Sequence, residues 1–267
     1  GTKKLWRKVG AALTRTAGQA VIMKHHGALC FGADAAEAFA VAAQLEAACA
    51  AFLLDRYRQA SGRAEADPYA IGAYALGLSD QTRQALRSAG RKNYGRSRRT
   101  GAGFLWSDGT EEREIREEQA AAGAGLPAEA EVPRLIYRQN PWIRAVRFEA
   151  TPELLCLAAA GLTLRPLLDD FAQIIGVKVR TVAADDPEGI ARALKKAGAV
   201  LLKDTGALCG GATEDDAVAV GMILQKTAKA LIGASLCGPV RPLPLLDCLY
   251  MRRVYLKKYA KRIGDKG

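Results

Sequence analysis

The chain has 267 residues, of which 49% are hydrophobic and 25% charged, with a formal net charge of +11. Such proportions belong to a soluble globular protein large enough to bury a core, and six cysteines without a CxxC pair argue against a zinc ribbon or a disulfide scaffold. No apolar run approaches the ~20 residues that span a bilayer and no signal-peptide pattern opens the chain, so a reducing cytoplasm with no membrane contact is the expected setting.

In chain order, a helix over Lys8 to Thr16 leads into an apolar strand, Ala20–Lys24, and a turn at Gly27. A second short strand and a long Ala-rich helix over Asp34–Leu54 follow. Residues 61–125 are different: rich in Gly, Arg, Ala and Glu, with basic RKNYGRSRR (Arg91 to Arg99) followed by acidic EEREIREE (Glu111 to Glu118). No compact core is evident there, and the segment reads as a connector or a mobile insertion. Strand-like stretches Trp142–Phe148 and Val177–Val182 flank an apolar helix-like stretch, Leu167–Ile175. Thr151-Pro152-Glu153 and Asp186-Pro187-Glu188 are helix starts, with a capping side chain, proline at the first position and an acid in the first turn. Strand Ala199–Lys203, a turn at Gly206 and a helix over Glu214–Ile232 complete a second unit, and MRRVYLKKYAKR closes the chain as a docked helix with a basic face.

The two units share a phrase. Residues 20–46 read AVIMKHHGALCFGADAAEAFAVAAQLE and residues 199–225 read AVLLKDTGALCGGATEDDAVAVGMILQ. They align without a gap, Ala20 on Ala199 and Gly27 on Gly206, while His25-His26 becomes Asp204-Thr205. The chain therefore reads as a truncated repeat over 1–60, a connector over 61–125 and a second repeat over 126–267 that includes the C-terminal basic helix. The first copy begins about one helix before its turn, as though the chain starts inside a domain, and it is expected to dock onto the second.

These residues resemble the class II aldolase/adducin family. VIMKHHGALCFG and VLLKDTGALCGG resemble its strand-turn-strand VLLxNHGALVVG; IYRQNPWIRAV and RPLLDDFAQIIG resemble its IYRxRPDVxAVVH and PPxxDxFAQxxG. The resemblance spans roughly Leu126 to Ile232, with the first ~55 residues as a second, truncated copy. It implies a three-layer α/β/α fold around a mostly antiparallel sheet, often assembled as a homo-oligomer. It also implies Zn²⁺-dependent cleavage or epimerisation of phosphorylated sugars, the metal acting as a Lewis acid. Two family metal ligands, an HxH pair, fall on Phe148 and Ala150, and the third falls on Thr205. None supplies the imidazole, thiolate or carboxylate donors that zinc uses. Glu149 and Asp204 are carboxylates nearby, but a strand neighbour of a ligand position points to the opposite face. The family's proton-moving glutamate falls on Glu129, the candidate catalytic residue. Its phosphate-binding serines are replaced by Pro127 and Ala128, and its N-terminal Gly-Asn loop is not visible.

Only two histidines exist, His25 and His26, so three cannot meet in one chain, and His26 alone keeps a ligand type at a family position. The expectation is an aldolase-like protein without zinc chemistry and without a cofactor, acting in binding, regulation or assembly, as the adducin head domain does. The alternative is an aldehyde-lyase or epimerase of phosphorylated sugars, with zinc or another divalent metal relocated or shared between subunits through His26. A phosphorylated sugar or an acidic partner would satisfy the net charge. Nucleic acid through Arg91–Arg99 and Tyr94 is the less favoured partner.

Overall fold

The computed structural model describes residues 3–88, 92–117 and 128–258. Arg91, Glu118, Pro127 and Tyr259, all drawn on above, lie outside these residues. The chain divides into two compact units, Gly1–Ala64 and Glu65–Gly267.

The first unit has helix α1 (Lys3–Leu13), the hairpin β1 (Ala20–Met23) and β2 (Gly27–Cys30), and the long helix α2 (Ala35–Ser61). Asp34 caps α2 by accepting from the Glu37 backbone N–H, and Gly62 ends it in the left-handed conformation.

The second unit begins with helices α3 (Pro68–Ala75) and α4 (Asp80–Arg87) and strands β3 (Arg96–Arg99), β4 (Gly103–Ser107) and β5 (Glu112–Arg116). Helix α5 (Ala128–Gln139), strand β6 (Ala145–Glu149), helix α6 (Pro152–Ala160), a π-helical turn (Phe171–Ile175) and strand β7 (Thr181–Val182) follow. Helix α7 (Pro187–Ala193), strands β8 (Ala199–Leu202) and β9 (Gly206–Gly211), and helices α8 (Glu214–Ser235) and α9 (Leu245–Lys258) complete it. The strands form one sheet in the order β5-β4-β3-β6-β9-β8-β7, antiparallel except for β7 beside β8.

Alternation along β8 shows how the sheet is covered. Val200 and Leu202 join a core under α5 and α7 with Val146, Ile136 and Ile190. Ala199 and Leu201 join a second core on the other face with Leu157 of α6, Phe171 of the π-helical turn and Leu224 of α8. Helices on both faces of a largely antiparallel sheet make the three-layer α/β/α arrangement expected from the sequence.

Residues 61–125 depart from the expected connector. Their described residues supply two helices and the three strands β3–β5 on one side of the sheet. The reason is chemical: β3 is Arg-Ser-Arg-Arg, and its inward residue is Ser97, whose hydroxyl lies 2.8 Å from the Tyr137 hydroxyl. A polar pair fills the place where an apolar side chain would have signalled a strand.

The expectation that no segment could span a bilayer is also corrected. Helices α2, of 27 residues, and α8, of 22, are long and apolar enough by length and composition. Isolated polar residues such as Glu46 and Lys226 interrupt any continuous run without lowering the average of the helix. Helix α8 belongs to the second core through Val220, Leu224 and Ala228, as a core helix of a globular domain does.

Candidate functional site

The resemblance would place the family's metal ligands at the C-terminal end of β6 and in the β8–β9 turn. The two hairpins that carry the shared phrase have the same register: Ala20 pairs Cys30 and Met23 pairs Gly27, while Ala199 pairs Cys209 and Leu202 pairs Gly206. Among the described residues the only non-glycine residues with positive φ are His25 (67°) and Asp204 (57°), at equivalent points of the two turns. The turn thus sets the residue after it, His26 or Thr205, in the same local frame.

In the second unit that frame holds no metal donor. Thr205 is buried, and its hydroxyl donates to the Lys203 carbonyl at 2.9 Å. Phe148, onto which the resemblance would place the first HxH ligand, is half-buried against the core beneath α5 and α7. Its ring centroid lies 5.6 Å from that of Tyr94, the planes tilted by 54°. Gly206 follows the turn at φ 145°, and a Cβ there would come within 2.9 Å of the Phe148 ring. Ala150, exposed just past β6, has no donor at all. The three positions do not fit zinc, since an aromatic ring, a methyl and a committed hydroxyl replace three imidazoles.

Glu129 lies in the first turn of α5. Tyr94 is buried, and its hydroxyl donates to the Ala184 carbonyl at 2.6 Å. Burial first, and then the negative charges of Glu129 and Asp185, push its phenol above the ordinary range. The Glu129 carboxylate is thus close enough to act on the Tyr94 phenol through space. Strand alternation puts Glu149 on the face opposite Phe148, where it pairs with Arg147 at 2.5 Å and packs against Gly221 of α8, and Asp204, in the turn, lies 3.7 Å from the Lys203 ammonium. Among the described residues no three His, Cys, Asp or Glu side chains gather as a metal cluster.

Family profiles bear on the same residues. That of the Class II Aldolase and Adducin N-terminal domain matches residues 1–53 and 111–232, more than half of the chain. The chain belongs to this family. Solved structures similar to it include an L-fuculose-1-phosphate aldolase from Thermus thermophilus, 23% identical over 67% of this chain and 91% of that one, with a TM-score of 0.43. An L-fuculose 1-phosphate aldolase from Glaciozyma antarctica is 16% identical over 72% and 85%, TM-score 0.47. Another L-fuculose 1-phosphate aldolase is 17% identical over 70% and 96%, TM-score 0.49. No curated protein matches the chain. The family assignment stands on the residues that match the profile.

Phe148, Thr205, Ala150 and Glu129 are thus brought to one corner of the second unit, while His26 belongs to the first. His26 is exposed, and its backbone N–H donates to the Met23 carbonyl at 3.0 Å. Tyr94 is the corner residue that sequence reasoning placed elsewhere, as an aromatic partner for nucleic acid. Its burial leaves no ring face for a base. In the same basic segment, Arg99 is held over the Tyr137 ring and by the Tyr137 and Ile143 carbonyls, and Arg98 pairs with Glu214. A Tyr just ahead of an Arg-Ser-Arg strand carries no sequence signal of its burial.

Proposed function

We propose that this chain is a class II aldolase/adducin-family protein that does not carry out zinc-dependent aldol chemistry and acts by binding, in regulation or in assembly. The supporting observation is the Phe148 ring at the first ligand position, packed on buried Tyr94 and closed over by Gly206. A Lewis acid must hold the substrate oxygen with open coordination, and an apolar ring there excludes both ion and substrate. Glu129 keeps a carboxylate without a polarised carbonyl to act on. Residues 1–60 are, in this reading, a truncated second copy of the family's hairpin and helix, consistent with the shared register and the shared positive-φ residue. The protein works in the reducing cytoplasm as a homo-oligomer, with free thiols and no resident cofactor.

Metal analysis of protein purified without chelator, with L-fuculose 1-phosphate cleavage assayed beside it, tests the proposal. Zinc well below one equivalent and no cleavage are expected, with or without added Zn²⁺. Stoichiometric zinc that disappears in His26→Ala would replace this reading with a sugar-phosphate lyase or epimerase whose metal is shared between subunits.

A further inference from the structure

At the opposite end of the same strands, a cavity of 710 Å³ opens where β8 begins and β9 ends. The first turn of α8, the π-helical turn and α9 complete its wall. Its volume falls in the range of roughly 300–1,000 Å³ typical of small organic ligands. Trp142, Val220 and Tyr255 supply apolar surface, and Trp142 is 43% exposed, so its ring is open to a partner.

The charges around it are unbalanced. Lys195, Lys196 and Arg252 line the cavity against one carboxylate, Asp216. That carboxylate is already committed: it accepts from the Thr213 backbone N–H in the capping box of α8. Lys195 and Lys196 are exposed and have no ion-pair partner among the described residues. Arg252 is half-buried, and its Nη1 donates to the Gln173 and Ile174 carbonyls, both at 2.6 Å, with no ion-pair partner among the described residues. Those two bonds anchor the guanidinium on the π-helical turn while leaving its charge uncompensated, and burial pushes its pKa down. A partly desolvated cation beside apolar surface is the arrangement that binds an anion attached to an apolar body.

We infer that this cavity binds a small aromatic organic anion, its ring against Trp142 and its acidic group among Lys195, Lys196 and Arg252. Nothing in it involves Phe148, Glu129 or a metal, so it stands or falls separately from the reading of the other end of the sheet.

Calorimetric titration of the full chain with 2-naphthoate at ~150 mM salt tests it, with uncharged 2-naphthylmethanol as the comparison. One naphthoate per chain is expected, and the alcohol should bind at least about tenfold more weakly. The double charge reversal Lys195→Glu/Lys196→Glu, at exposed positions that spare the fold, should weaken naphthoate by about tenfold or more. Lys229→Glu, exposed on α8 outside the cavity, should leave it within about twofold. Absence of binding at millimolar naphthoate would overturn the inference, as would equal affinity for the alcohol. So would an equal loss in Lys229→Glu, which would mean net charge alone. If sedimentation shows the double variant splitting an oligomer while naphthoate affinity is unchanged, the cavity is an interface between copies and the inference also fails.

Discussion

Gly206 is where the shared phrase carries different physical weight in its two occurrences. Both Gly27 and Gly206 sit at positive φ, 108° and 145°. A Cβ at Gly27 meets nothing within 4 Å, whereas at Gly206 it meets the Glu149 carbonyl at 2.6 Å and the Phe148 ring. Gly206→Ala should therefore cost roughly 2–4 kcal/mol, backbone strain and collision together, and Gly27→Ala only the strain, about 1 kcal/mol; thermal unfolding of the two variants measures the difference. The thiols make a second residue-scale case. Cys49 and Cys237 are exposed, while Cys156 and Cys209 are buried. Burial pushes the Cys209 thiol up and raises that of Cys156 from about 9 to about 11. Ellman's reagent at about pH 8 should label Cys49 and Cys237 rapidly in the folded chain and leave Cys156 and Cys209 untouched until it unfolds. The sign for stability follows. Above pH 9 the unfolded chain releases the Cys156 proton and the folded chain keeps it, so the contribution is whole below pH 9 and is lost as pH rises toward 11. Denaturant midpoints that rise across that window would contradict this.

At the scale of elements, the helix starts carry the most local information. Thr213 accepts from the Asp216 N–H at 3.1 Å while the Asp216 carboxylate accepts from the Thr213 N–H. Thr213→Ala should lower unfolding free energy by about 1 kcal/mol and be rescued by Thr213→Ser, read from urea midpoints. Such caps are written within a few residues, which is why the starts at Thr151 and Asp186 were legible in the sequence and are found in the structure. Strand β3 was not, because Arg96 and Arg98 face outward and Ser97 satisfies its burial with a hydroxyl from α5. Likewise Leu167–Ile175 read as an apolar helix, whereas the helical part starts at Asp169 and consists mainly of the π-helical turn Phe171–Ile175, packed against α9. The C-terminal helix was legible as MRRVYLKKYAKR, but which of its residues pack was not. Leu249 is 48% exposed and the residue fully packed is Cys248, a polar-looking letter that behaves as a small apolar one. The candidate site divides the same way. That Phe148, Ala150 and Thr205 fall at the positions expected for ligands could be read by register, whereas Tyr94 meets Phe148 only through the sheet.

For the whole molecule, the distribution of buried surface decides what can fold. Among the described residues, the three hydrophobic cores are made of residues from Tyr94 to Leu208, Leu154 to Ala228, and Leu86 to Ala159, every one within Glu65–Gly267. In Gly1–Ala64 Tyr57 is buried, but several other apolar side chains are exposed. Ile22 is 71% exposed where its counterpart Leu201 is fully buried, and Phe39 is 77% exposed. Hydrophobic burial is the main favourable term against chain entropy, and a unit of about 60 residues has little margin even with a complete core. A fragment of residues 65–267 should thus unfold cooperatively, with a melting temperature within about 5 °C of the full chain. A fragment of residues 1–64 should show helix by circular dichroism without a cooperative transition. A sharp melt of the short fragment, or a molten 65–267, would mean that the repeated hairpin and helix contribute to stability in proportion to their sequence, and that the uncovered face of α2 finds its cover within its own unit.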